Sequence, residues 1–306
     1  SHKGLVGRYP HGLGDAAQVL GIRSRRTQMG LRINTNIPSL SAQRSLGVTN
    51  REQQSTLSKL SSGSRIVKSA DDAAGLGISE KLKAQIRGIK QAERNAGDGI
   101  SMIQTAEGGL VEISNILVRL RELAVQSASD TVGDSERAFT DLEYQNLKQE
   151  VERISQVTEF NGKKLLNGGD GTNYDFQIGI NNDAFQDRIQ FDVKVATANL
   201  DALKIGELDV KGKESARDGL VVLDQAIELV SGNRAELGAK QNRLTSTIQN
   251  LQVTNENLSA ANSQIRDTDF AAETAQNTKL NILSNAGTSV LGQANSMGGA
   301  ALKLIG

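Results

Sequence analysis

The chain has 306 residues, with 35 basic and 35 acidic side chains in balance, so no net charge draws it toward nucleic acid or an anionic membrane. It has no Cys, no Trp, three Tyr and six Phe, which excludes disulfides, thiol nucleophiles and Cys-ligated metals and leaves thin Leu/Ile/Val/Ala cores rather than a wide one. No apolar run approaches the about 20 residues that span a bilayer, and residues 1–28 lack the apolar core of a signal peptide.

Residues 1–28 differ from the rest. They hold both histidines, His2 and His11, one of the two prolines, Pro10, and five basic residues against Asp15 alone. Residues 29–306 then carry 30 basic and 34 acidic residues, a net charge of −4. The run Arg25-Arg26-Thr27-Gln28-Met29 can be encoded by AGG AGG ACA CAA ATG, a bacterial ribosome-binding sequence shortly before a start codon. The expectation is a mature start at Met29, with 1–28 a leader or non-native extension set aside from the fold; a basic tail or an expression scar are the alternatives.

Residues 37–61 read as a polar helix with sparse apolar positions, and Leu60-Ser61-Ser62-Gly63-Ser64 as a turn. Ser69 and Asp72 suggest a capping box, after which one helix can run to about Ser127. Gly75, Gly77, Gly88, Gly97 and Gly99 interrupt it at up to about 1 kcal/mol each, a pattern that admits a close neighbouring backbone. Residues 130–134 break it. Residues 135–157 then form a shorter helix with Leu142, Leu147, Val151 and Ile154 inward. Asn161-Gly162 and 167–171 are turns. Phe176, Ile178 and Ile180, then Ile189, Phe191 and Val193, alternate as two half-buried strands joined around Asn181-Asn182-Asp183. A loop over 200–213 leads to a helix from about 215 to 266, and a last helix covers roughly 268–304.

The two ends read as partners. Leu82, Ile89, Ala96, Ile103, Leu110, Leu117 and Ala124 recur every seven residues, as do Leu223, Val230, Leu237, Leu244, Leu251, Leu258 and Ile265. A seven-residue apolar repeat keeps its stripe on one side only when helices supercoil side by side. The predicted coiled-coil seam is therefore Leu237, Leu244, Leu251, Leu258 and Ile265, flanked by a partly polar row of Gln241, Ile248, Asn255 and Asn262 that is either a register-setting seam or an exposed flank. The last helix carries its own stripe at Leu283, Val290, Met297 and Leu304. The fold class is mainly α: a long antiparallel helical bundle or coiled-coil rod, N- and C-terminal helices paired, with a small β-hairpin at about 158–195.

Catalytic chemistry finds no foothold. After residue 28 there is no His or Cys, hence no Ser–His or Cys–His pair and no HExxH site, and no GxxxxGK[ST] loop occurs. Asp170, Asn173 and Asp175 lack the glycine and distal Glu of a calcium loop and read as a turn. Asp71-Asp72 and Asp267/Asp269 read as helix caps rather than an acid–base pair. No enzyme, cofactor or metal is expected.

The residues that carry a resemblance lie at both ends, in order: LRINTN (31–36), LSAQRSL (40–46), KLSSGSRI (59–66), SADDAAGLGIS (69–79), QAERNAGDGISMIQTAEGGL (91–110), LRELAVQSAS (120–129), TEFNGKKLLNG (158–168), RAELGAKQNRL (234–244), NLSAANSQIRDTDFAAETA (257–275) and LGQAN (291–295). Over 29–306 the chain resembles bacterial flagellin. The resemblance implies an inner coiled-coil tube from 29–66 with 268–306 and a rod domain over 67–267. Outer domains of larger flagellins are missing, since only 195–214 separate hairpin and C-terminal helix. Ile66-Val67-Lys68 and Gly298-Gly299 depart from the common family pattern.

The implied function is a structural subunit that self-assembles into the flagellar filament for swimming motility, the alternative being a hook–filament junction protein. The implied location is the filament, reached as a secreted protein through the flagellar type III route without a cleaved signal peptide. Implied partners are copies of itself, an export chaperone covering Leu283, Val290, Met297 and Leu304, the filament cap and hook–filament junction proteins, and the animal Toll-like receptor for flagellin, with no nucleic acid or membrane. For that receptor the residues matching the family's contacts are Arg119, Leu123 and Glu143, Arg119 and Leu123 being four apart on one helix. A core role for Leu123 is the competing reading, because Leu120 and Ala124 beside it count as inward.

Overall fold

The computed structural model describes residues 35–168 and 173–302, the last six by backbone alone. Met29, the 1–28 extension, Leu31-Arg32-Ile33-Asn34, Asp170, Leu304 and the side chain of Met297 lie outside the described residues. The helices are α1 (Ile37–Ser62), α2 (Ala73–Ser127), α3 (Asp134–Val157), α4 (Val193–Ala196), α5 (Lys213–Arg266) and α6 (Phe270–Leu302). The strands are β1 (Glu159–Phe160), β2 (Lys163–Lys164), β3 (Tyr174–Gln177) and β4 (Arg188–Phe191). The chain divides into two units. One is Gly63–Thr268; the other is formed by the segments before and after it.

The larger unit is built on the antiparallel pair α2·α5. On α2 the repeat resolves into two interleaved rows, Ile89, Ala96, Ile103, Leu110, Leu117, Ala124 and Ala92, Gly99, Ala106, Ile113, Leu120, Ser127, all buried. This alternating three-four spacing is coiled-coil packing. Leu223, Val230, Leu237 and Leu244 of α5 are buried opposite, whereas Leu251, Leu258 and Ile265 are half-buried. A fully buried Leu contributes about 1.5–3 kcal/mol by burial, so the α2·α5 seam is strongest in its apolar half and weaker toward Ile265. There polar pairs take over: Ser79 Oγ donates to Asn262 Oδ1 at 2.8 Å, Arg266 pairs with Glu80 at 2.6 Å, and Gln252 donates to Glu93 at 2.8 Å. Gln241, Ile248, Asn255 and Asn262 are half-buried, and Asn255 Oδ1 has no hydrogen-bond partner.

Asp72, not Ser69, caps α2: its Oδ1 accepts from Gly75 N at 2.8 Å. Asp71 accepts from Val67 N and Lys68 N, and Asp269 from Ala271 N and Ala272 N at the start of α6. These carboxylates close helix starts and turns, where backbone N–H groups lack partners.

Part of the glycine pattern of α2 is explained by the β-structure laid along it. Phe176 sits over Gly99, Ile180 over Gly88, and Leu166 with Thr158 over Gly109; a methyl at Gly109 would lie 2.6 Å from Leu166 Cδ1. Gly77, Gly97 and Gly108 face open space.

The β-structure differs from expectation. Residues 158–168 hold a hairpin of their own, β1–β2, closed by Asn161 and Gly162 at φ 49° and 76°, the left-handed pair a two-residue turn demands. β3 and β4 pair with Phe176 opposite Ile189, but neither is as long as the alternation suggested. Ile178 N and Gly179 N both donate to Asp187 O, which ends the ladder, and Ile180 beyond it is exposed. Val193 is buried but starts α4, because Asp192 caps Lys194 N.

Helix α3 also corrects the apolar reading. Leu142 is 63% exposed, while Arg137, Asp141, Tyr144, Lys148, Val151 and Ser155 face inward. The polar members are used. Lys148 Nζ donates to Gly206 O and Leu208 O, both at 2.7 Å, and Asp141 Oδ1 accepts from Val210 N at 3.2 Å, so α3 fastens the 200–212 connector. Burial pushes the Lys148 pKa down, with Asp141 and Asp209 pulling against it. Arg137 Nε and Nη2 donate to Ser127 O and Ser129 O, each at 2.9 Å, closing the C-terminus of α2.

The second unit is the antiparallel pair α1·α6. Its seam mixes polar and small residues with three leucines: Ser39, Ala42, Leu46, Thr49, Gln53 and Thr56 are turned inward on α1, and Asn277, Leu280, Ser284, Gly287, Leu291 and Ala294 on α6. Asn36 Nδ2 donates to Ala294 O and Ser39 Oγ to Asn295 Oδ1, each at 2.7 Å, and a methyl at Gly287 would lie 3.3 Å from Leu46 Cδ1.

Candidate assembly surfaces

The α1·α6 pair buries a mixed seam and leaves most of its large apolar side chains outside. Ile37, Leu40, Val48 and Leu57 of α1 and Phe270, Ile282, Leu283 and Val290 of α6 are exposed, while hydroxyls, amides and small residues share the contact between the helices with Leu46, Leu280 and Leu291. A helix pair that shows its large apolar side chains to the outside presents a contact surface. Leu283 and Val290 of the predicted stripe lie on that exposed face. The sequence reading missed their neighbour Ile282 and the matching residues of α1; the signal available was Leu40, Val48 and Leu57 falling out of phase with Ser39, Ala42 and Leu46.

The seam residues Leu237 and Leu244 are buried against α2, and Leu251, Leu258 and Ile265 are half-buried. They hold the larger unit together rather than forming an outer surface.

Arg119, Leu123 and Glu143 separate. Arg119 and Glu143 are exposed and joined across α2 and α3 at 2.8 Å, the hydrogen bond to Glu143 and a second to Glu122 raising the Arg119 pKa. Leu123 is 2% exposed in the core with Leu120 and Ala124, so it does not share the exposed face of Arg119. A helix turns 100° per residue, and four residues carry Leu123 just far enough around to meet the core. The other side of α2 is pinned to α5 by Arg121 and Asp224 at 2.6 Å, the hydrogen bond holding Asp224 below the usual carboxylate range.

Three further exposed side chains stand out: Phe139 on α3, Leu142 beside it, which the sequence reading had turned inward, and Phe185, 83% exposed at the tip of the β3–β4 hairpin. Among the described residues no three His, Cys, Asp or Glu side chains gather as metal ligands, and no helix is long and apolar enough to cross a membrane. Two open grooves flank the hairpin tip, one between Ile180 and the Lys81, Gln85 and Gln91 side of α2, the other between Ile178, Ile180 and Asp187 and the Arg243 and Leu251 side of α5. These features define a structural helical subunit whose chemistry is association through its outer faces.

The comparisons with known proteins agree. The family description "Bacterial flagellin N-terminal helical region" matches residues 33–170, and "Bacterial flagellin C-terminal helical region" matches 220–305. The chain is 43% identical to a flagellin of Halalkalibacterium halodurans over 273 residues, 89% of this chain and 99% of that one. It is 44% identical to flagellin of Bacillus subtilis over 311 residues, covering 90% and 100%. A hook-associated protein of Vibrio parahaemolyticus, 14% identical with TM-score 0.54 over 64% of this chain and 100% of that one, shares the fold. The chain belongs to the bacterial flagellin family. It is a subunit of the bacterial flagellar filament, a structural protein of motility that assembles with copies of itself and not an enzyme. The hook-junction reading has no better support.

Proposed function

We propose that the α1·α6 pair supplies the inner tube of the filament, from 29–66 with 268–306, and that 67–267 forms the rod around it. The observation that carries this is the apolar outer face of the pair: Leu40, Val48, Leu57, Ile282, Leu283 and Val290 face outward, where neighbouring subunits can cover them. Burying each large side chain is worth about 1.5–3 kcal/mol, whereas the seam between α1 and α6 holds only Leu46, Leu280 and Leu291 among hydroxyls, amides and small residues and stabilises the isolated pair less. The pair is thus ordered by its neighbours. Filament supercoil then follows from small shifts of packed helices between subunits.

Before assembly the same stripe, Leu283, Val290, Met297 and Leu304, is the segment an export chaperone covers. The protein leaves the cell by the flagellar type III route without a cleaved signal peptide and meets the hook–filament junction and cap proteins at the growing structure. Recognition by the animal Toll-like receptor for flagellin rests on Arg119 and Glu143. The burial of Leu123 limits its part to shaping the helix beneath them.

The test is hydrogen exchange of monomer and filament. Amides of 37–62 and 270–302 exchange quickly in the monomer and slowly in the filament, while those of 96–124 are protected in both. Equal protection of the terminal helices in the two states defeats the proposal.

A further inference from the structure

The chain holds two Asn-Gly steps, Asn161-Gly162 and Asn167-Gly168, and the fold treats them differently. An asparagine amide followed by glycine is open to attack by the next backbone nitrogen, because no Cβ stands in the way. The attack needs an amide and a following peptide that can both rotate. At the β1–β2 turn they can. Asn161, Gly162 and Lys163 are exposed. The Asn161 amide has no hydrogen bond among the described residues, the Gly162 N–H donates to no backbone carbonyl, and a methyl on Gly162 would meet nothing within 4 Å. Two residue pairs alone, Glu159↔Lys164 and Phe160↔Lys163, close this hairpin, so its local opening costs little.

The second step is clamped. Asn167 is half-buried, and its carbonyl accepts from Asn199 Nδ2 at 3.4 Å. Leu166 before it is fully buried, with its carbonyl bonded to Ala198 N at 2.8 Å. A methyl on Gly168 would lie 3.4 Å from Thr197 Oγ1. The segment after α4 therefore holds residues 166–168 in place, and the backbone must release it before Asn167 can react.

We propose that Asn161 is a self-modification site. Gly162 N bonds to Asn161 Cγ and gives up its proton, the Cγ–Nδ2 bond breaks, and the nitrogen leaves as ammonia. Water then opens the cyclic imide at one of its two carbonyls, leaving aspartate or isoaspartate at position 161. One water is consumed and one ammonia released, with no change of oxidation state. Either product adds a negative charge to the turn. Isoaspartate also places one more carbon in the main chain, and a turn built on two left-handed residues cannot absorb it. The structure behind the turn is then loosened: Leu165 N donates to Thr158 O at 3.2 Å, and Leu166 and Thr158 rest over Gly109 of α2. An exposed turn thereby acts chemically on the contact between hairpin and helix.

The test holds the whole protein at 37 °C and pH 8.5, beside a sample unfolded in guanidinium. Peptide mapping by mass spectrometry follows amide-to-acid conversion at 161 and 167, and enzymatic methylation marks isoaspartate. In the unfolded chain the two sites convert at similar rates, whereas in the folded chain Asn161 converts about tenfold faster than Asn167. Equal rates in the folded protein overturn the proposal, as does an unreacted Asn161 under conditions where the unfolded chain converts. Asn161→Gly keeps the left-handed turn and removes the amide. Amides of 158–166 lose hydrogen-exchange protection in aged wild type and keep it in the aged variant. Aged wild-type protein that carries isoaspartate at 161 with unchanged protection overturns the loosening of the hairpin.

Discussion

Gly108 and Gly109 are neighbours on α2 with opposite surroundings, and the pair offers a direct test of how the β-structure sits on the helix. A methyl at residue 108 meets nothing within 4 Å. Gly108→Ala therefore gains helix propensity and loses unfolded-chain freedom, stabilising by about 0.5–1 kcal/mol. A methyl at residue 109 lies 2.6 Å from Leu166 Cδ1 and 2.8 Å from Thr158 Oγ1. Leu166 is fully buried, and Thr158 Oγ1 is engaged with Ile154 O at 2.7 Å, so neither moves freely. Relieving such overlap costs about 1–3 kcal/mol. Because both sites share one helix, the propensity gain is common, and the difference between the variants isolates the contact at roughly 1–3 kcal/mol. Urea unfolding of the monomer with matched m-values reads it out. If Gly109→Ala is as stabilising as Gly108→Ala, the close approach of residues 158–166 to α2 is wrong.

Arg137→Ala leaves Ser127 O and Ser129 O without their donors at a buried helix end, lowering stability by about 2–4 kcal/mol. Arg137→Lys restores only part of this, seen as midpoints ordered wild type, Lys, Ala in urea. Acid weakens the larger unit through carboxylates held below their usual range: Glu80 by Arg266, Asp130 by Lys213, Asp183 by the Gln186 and Phe185 amides, and Asp224 by Arg121. A depressed carboxylate stabilises fully above its unfolded pKa, about 4, and the contribution is lost as pH falls through the folded value. Thermal unfolding scanned from pH 6 to 2 should show this decline, and Asp224→Asn should lower the melting temperature at pH 6 but not at pH 2.

The long helices were legible because a seven-residue repeat is a direct record of which side is covered. Ile89 through Ala124 and Leu223 through Leu244 are buried as that repeat requires. Glycine was only half legible. Gly88 and Gly99 admit a neighbour and Gly77 and Gly97 do not, since composition cannot say which face a strand will cross. The inward face of α3 was not legible at all. Its partners are backbone carbonyls and amides of the 200–212 connector, which call for Lys148 and Asp141 rather than for Leu142. Period-two alternation likewise ran past the true strand ends, because Asp187 O and the Asp192 cap terminate pairing without changing the apolar rhythm. Leu123 shows the limit for single residues. Four residues along a helix from exposed Arg119, it falls on the core side by a fraction of a turn.

The nesting of the helix pairs has a consequence in time. The helix nearest the start of the described chain pairs with the one nearest its end, so Ser39 finds Asn295 across 256 positions of sequence. Closing so long a loop in an unfolded chain is entropically slow. Formation of the Gly63–Thr268 unit changes this, for Thr268 N donates to Gly63 O at 3.1 Å and Arg65 N to Arg266 O at 2.6 Å. With that clasp in place 206 residues are removed from the loop, a gain of about 1.4 kcal/mol by the logarithmic scaling of closure entropy. The order of folding is therefore from the middle of the chain outward, and the terminal helices can pair only after the last residues of α5 have arrived.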